Sequence, residues 1–115
     1  MSRSSRSARL AAAALLAASC TASSARADDM PVIKVEIRDG VILPATIEVP
    51  ANTRFKLEIS NTGQSPAEFE SVELKREKSL AAGATSAIVF RTLDPGTYQV
   101  FDDFHPEAKA TLVAK

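Results

Sequence analysis

Val32-Ile33-Lys34-Val35-Glu36-Ile37-Arg38 alternates from Ile33 onward between apolar and charged residues, and Asp39-Gly40 follows it. Side chains on a strand point to opposite faces with a period of two, so Ile33, Val35 and Ile37 share one face, and Lys34, Glu36 and Arg38 the other. Asp-Gly after such a run reads as a tight turn. The same period returns at Arg54–Ser60, where Phe55, Leu57 and Ile59 lie opposite Arg54, Lys56 and Glu58. These two runs decide the fold class, because neither can present one apolar stripe as a helix.

Working outward, Thr46–Val49 reads as a short strand between Pro44 and the turn Pro50-Ala51-Asn52. Asn61–Pro66 is a loop by composition. Phe69–Leu74 reads as a further strand with Phe69 buried, and Lys75–Ser79 as a polar stretch. Thr85–Arg91 is a strand with Ile88 and Phe90 inward. Asp94-Pro95-Gly96 is a sharp turn before a strand holding Tyr98 and Val100, and Ala110–Val113 closes the chain. About seven short strands separated by turn signals predict an all-β, Greek-key antiparallel sandwich.

The first part of the chain reads differently. Arg3, Arg6 and Arg9 precede the apolar run Leu10–Ala18, and Ala25-Arg26-Ala27 has the A-x-A form of a cleavage site. Basic, apolar, then small is the order of a secretory signal. The apolar run is roughly half of the ~20 residues that span a bilayer as a helix. The expected division is therefore a signal peptide over 1–27 and one domain over 28–115, located in the periplasm without membrane insertion of the mature part. Cys20 is the only cysteine, so cleavage after Ala27 leaves no thiol. Alternatively, Ala17-Ala18-Ser19-Cys20 is a lipoprotein signal with Cys20 lipidated, although the usual leucine three places before the cysteine is absent.

The whole chain has zero formal charge, but Arg3, Arg6, Arg9 and Arg26 all lie before the cleavage point. The remainder carries fourteen acidic and ten basic groups, a net charge of about −4. That balance disfavours nucleic acid, which needs clustered Lys and Arg, and is compatible with attracting cations. No G-x-S-x-G elbow, phosphate loop or H-E-x-x-H motif is present, and a cleft for two-carboxylate glycoside hydrolysis is large for so small a domain.

Val49-Pro50-Ala51-Asn52-Thr53, then Ile59-Ser60-Asn61 before a polar loop, then Leu93-Asp94-Pro95-Gly96-Thr97-Tyr98 occur in an order that resembles the cupredoxins. The resemblance covers nearly all of residues 28–115. It implies four metal-ligand positions. Ala67 takes that of the first histidine, Asp102 that of the cysteine, His105 that of the second histidine and Ala108 that of the methionine. Blue copper needs a thiolate with two imidazoles, so blue-copper chemistry is not expected.

The acidic replacements set a different expectation. Glu68, Glu70, Asp102, Asp103 and His105 fall on the two loops that carry ligands in a cupredoxin. Carboxylates with one imidazole make a hard site suited to Fe(II), Mn(II) or Cu(II). Pro66–Ser71 followed by Phe101–His105 is similar to the cupredoxin-like periplasmic proteins of bacterial ferrous-iron uptake systems. That resemblance implies an iron or copper ion held by His105, Asp102, Asp103, Glu68 and Glu70. It also implies a periplasmic iron-binding protein or an iron permease as partner, and a binding role that extends to assisting iron oxidation. The alternative is a metal-free interaction module that kept the sandwich. Asp102 and Asp103 also read as loop residues bonding their own backbone, and Glu68 and Glu70 as the wet face of a strand.

Overall fold

The fold is that of a computed structural model describing residues 30–115. The expected signal peptide, its cleavage point and Cys20 lie outside the described residues.

Among the described residues, nine strands form two packed sheets. In chain order they are β1 (Val32–Arg38), β2 (Val41–Leu43), β3 (Thr46–Val49), β4 (Phe55–Asn61), β5 (Ala67–Ser71), β6 (Arg76–Leu80), β7 (Thr85–Phe90), β8 (Gly96–Asp102) and β9 (His105–Ala114). One sheet has the order β2-β1-β4-β7, the other β3-β9-β8-β5-β6. The chain passes back and forth between the sheets, so the all-β sandwich read from the alternation is the observed architecture.

Two strands exceed the expected seven, and each has a local reason. Val41–Leu43 is short and lies directly behind the Asp39-Gly40 turn, where it pairs antiparallel with β1. Asp39 and Gly40 both have positive φ, 39° and 89°, the conformation that makes Asp-Gly a favoured hairpin turn. Arg76–Leu80 lacks alternation because it is an edge strand whose first four residues are all exposed. Its charges protect that edge from unwanted pairing. Leu74 belongs to the turn before it, not to β5.

Two pairings, β1 with β4 and β3 with β9, are parallel rather than antiparallel. Both arise where the chain crosses to the other sheet and returns. Periodicity gives a strand's faces but not its direction, so these two parallel pairs cannot be read from it.

The core is built from the predicted faces. Val35 and Ile37 of β1, Phe55, Leu57 and Ile59 of β4, Phe69 of β5, Ile88 and Phe90 of β7, and Val100 of β8 are all buried, with Ile33 packed against them. Phe55 and Phe90 stack with ring centroids 5.0 Å apart. The Arg76 guanidinium lies over the Phe90 ring, 5.2 Å from its centroid, and donates to the Val89 carbonyl. Tyr98 is half-buried and donates its hydroxyl to the Asp94 carbonyl at 2.8 Å, tying the Asp94-Pro95-Gly96 turn to β8.

Candidate metal centre

Strand parity sorts the predicted site residues. On β5, Ala67, Phe69 and Ser71 point into the core, which leaves Glu68 and Glu70 on the outer face. On β8, Val100 and Asp102 point inward and Phe101 lies outward. A register irregularity at Phe101/Asp102 then leads into the turn at Asp103-Phe104. Asp102 and Asp103, adjacent in sequence, therefore face opposite ways.

Asp103 joins the outer face. Its backbone N–H donates to the Glu68 carbonyl at 2.9 Å. Ligand oxygens of Glu68, Glu70 and Asp103 lie within 4.8 Å of one another. Burial, followed by the charges of Asp103, Glu68 and Glu77, holds the Glu70 carboxyl above the usual carboxylate range. Glu70 also borders a hollow of about 320 Å³ lined by Ser71, Val72, Lys75, Arg76 and Glu77.

Asp102 is fully buried. Its Oδ1 accepts the Glu68 N–H at 2.9 Å and the Phe104 N–H at 3.0 Å. Its Oδ2 lies 3.0 Å from Nδ1 of His105, whose side chain is 29% exposed. A buried carboxylate is costly unless its oxygens are paired, and here both are. Ala67 and Ala108, at the other two positions implied by the resemblance, are buried and offer only methyl groups.

The five predicted residues thus form two groups, an outward carboxylate trio and an inward Asp102–His105 pair. They share one end of the sandwich through Glu68, whose backbone N–H bonds Asp102 and whose side chain belongs to the trio. His105 is outside the trio.

Two residues of this end were not singled out from sequence. Asn61 is buried and donates to the Ser65 and Leu80 carbonyls while accepting the Gly63 N–H. It shapes the loop that precedes β5. Asp39 accepts the Gln64 N–H at 2.8 Å and the Ser65 hydroxyl at 3.3 Å, pinning that loop to the β1–β2 turn. The Gln64 N–H is the main cause holding Asp39 below its ordinary range, with a smaller contribution from the charge of His105. The approach is close enough that a Cβ on Gly63 would lie 2.7 Å from the Asp39 nitrogen, so only glycine fits there. A loop-forming composition was the one signal available for this arrangement.

A shallow groove of about 520 Å³ lies elsewhere, between Lys34, Glu36, Leu43, Pro44, Ser60 and Thr62, and contains none of the predicted site residues. Among the described residues no helix is long and apolar enough to cross a membrane.

Comparison with known proteins adds three findings. The family model for the cupredoxin-like domain matches residues 9–114. An uncharacterized protein of Rickettsia prowazekii (strain Madrid E) is 36% identical over 80 residues, covering 70% of this chain and 64% of that protein. The chain therefore spans less than two-thirds of that relative's length. Among solved structures, reduced auracyanin of Roseiflexus castenholzii superposes with a TM-score of 0.61 at 13% identity, over 73% of this chain and 96% of that one. The metal-binding domain of the Cu(I)-exporting ATPase of Streptococcus pneumoniae D39 gives 0.60 at 13%, over 75% and 97%. A purple cupredoxin of Nitrosopumilus maritimus gives 0.55 at 18%, over 71% and 98%. At these identities the structural likeness is one of fold.

Proposed function

The chain belongs to the cupredoxin-like domain family, and from that premise we propose that it is an exported, periplasmic metal-binding protein. It captures Fe(II) or Cu(II) at the end of the sandwich where β5, β8 and β9 meet, and serves ferrous-iron acquisition beside a periplasmic iron-binding protein or an iron permease. The residues do not fit a blue-copper ion, because Ala67, Asp102 and Ala108 replace three of the donors such an ion needs. They fit a harder cation carried as cargo.

One observation carries this reading, the convergence of Glu68, Glu70 and Asp103 from two sequence-distant segments to within 4.8 Å. Three carboxylates this close repel one another, and that repulsion adds to the burial that holds the Glu70 carboxyl above its usual range. A divalent cation relieves that repulsion and takes oxygen ligands readily. His105 lies at the same end and supplies an imidazole for Cu(II). Hard oxygen donors also stabilise Fe(III) relative to Fe(II), which suits a protein that assists iron oxidation. The metal-binding domain among the structural neighbours supports a metal-related role for this fold.

Equilibrium dialysis against micromolar Fe(II) under anaerobic conditions, and against Cu(II), tests the proposal. One equivalent of metal is expected to bind. The triple variant Glu68→Gln, Glu70→Gln, Asp103→Asn should bind at least about 100-fold more weakly, roughly 2.7 kcal/mol. His105→Ala should weaken Cu(II) more than Fe(II). Uptake unchanged in both variants would refute the site.

A second reading rests on Phe104, which is 52% exposed at the tip of the β8–β9 turn beside the trio. An apolar ring there suits docking to another protein, and in this reading the domain is an interaction module without metal. Absence of stoichiometric metal together with loss of a partner complex in Phe104→Ser would favour it.

A further inference from the structure

We propose that Asp102 is a positioning residue that fixes the tautomer of His105, so that the imidazole offers Nε2 alone as its ligand atom and a metal bound there sits outside the sandwich. The proposal deepens the metal-binding reading and, for its functional meaning, rests on it. A carboxylate accepts and does not donate. With Oδ2 of Asp102 3.0 Å from Nδ1 of His105, the proton of the neutral ring is on Nδ1, and the lone pair is on Nε2. Which ring nitrogen binds a metal is set by the bond the other one makes.

Asp102 cannot turn to take part in coordination itself. Its other oxygen is held by the Glu68 and Phe104 N–H groups, and the residue has no exposed surface. The carboxylate stands behind the ring, while the partly exposed ring faces outward. The position that the family resemblance gives to a cysteine thus holds a group that orients the histidine from within.

The same geometry defines a decisive variant. In Asp102→Asn the two backbone N–H groups still require an oxygen opposite them, so the amide must place its NH2 toward the ring. Nδ1 then has to accept, and the ring proton moves to Nε2. Size and shape are unchanged, but the tautomer is reversed.

Long-range 1H–15N spectra of the metal-free, full-length protein, recorded with the ring in its neutral form, read the tautomer directly. The parent should show a protonated Nδ1 and an unprotonated Nε2, and Asp102→Asn the reverse. Cu(II) affinity should fall about tenfold in the variant if the metal binds at this ring. A parent ring protonated on Nε2, or a folded Asp102→Asn with the parent's tautomer, overturns the proposal. Should the variant fail to fold, the parent spectrum decides by itself. A ring protonated on Nδ1 in a protein that takes up no Cu(II) supports the tautomer assignment and refutes the metal reading, so the two fail separately.

Discussion

Asp102→Ala is expected to destabilise the protein by about 3–5 kcal/mol, although the residue is a charged one near a turn. The size follows from what the truncation leaves behind. The Glu68 and Phe104 N–H groups and Nδ1 of His105, all part-buried, together lose the one fully buried acceptor they share. A buried donor left without an acceptor costs about 1–3 kcal/mol, and part-burial puts each of these three at the lower end of that range. For a domain of this size that corresponds to a fall in Tm of about 15 °C or more, measurable by circular dichroism. Asp103→Ala, one residue further on, should scarcely move Tm, since that side chain is exposed on the outer face. Equal effects at the two positions would mean that Asp102 does not organise this end of the sandwich.

Phe55→Ala should cost a similar amount, about 3–5 kcal/mol, for an apolar reason. Phe55 is fully buried on β4, which lies between β1 and β7. Its ring stacks on Phe90 at 5.0 Å, and the Arg76 guanidinium lies over the Phe90 ring. Removing the inner ring leaves a cavity between the sheets and takes away the surface that aligns the Phe90–Arg76 pair. A lowered urea midpoint without a changed slope is the expected result. A cost below about 1 kcal/mol would show that β4 does not anchor the core in this way.

The sandwich was legible because its central strands obey one rule. Val32–Arg38 and Arg54–Ser60 are half-buried, and half-burial imposes alternation. The elements that escaped do not obey it. Val41–Leu43 is too short to show a period, and Arg76–Leu80, an exposed edge, has no apolar face to display. The parallel pairings depend on where the chain crosses between sheets, which no local pattern encodes.

The candidate site's residue types could be picked out from sequence, its grouping less so. The family resemblance brought Glu68, Glu70, Asp102, Asp103 and His105 to one end, and the structure places them there. Separating Asp102 from Asp103 required the parity of β8. Val100 is apolar and inward, so a residue two places on shares its face. Asp39 and Asn61 act through loop backbone, and their partners at Gly63, Gln64 and Ser65 are set by the fold rather than by spacing.

Paramagnetic broadening by substoichiometric Cu(II), mapped on the amide resonances of the 15N-labelled protein, is the most direct measurement of the central claim. The amides of Glu68, Phe69, Glu70, Asp103, Phe104 and His105 should broaden first, while those around Glu48 and Lys115, an exposed ion pair between β3 and the chain end, stay sharp. Broadening centred on any other surface, or none at stoichiometric metal, would contradict a metal site at the meeting of β5, β8 and β9.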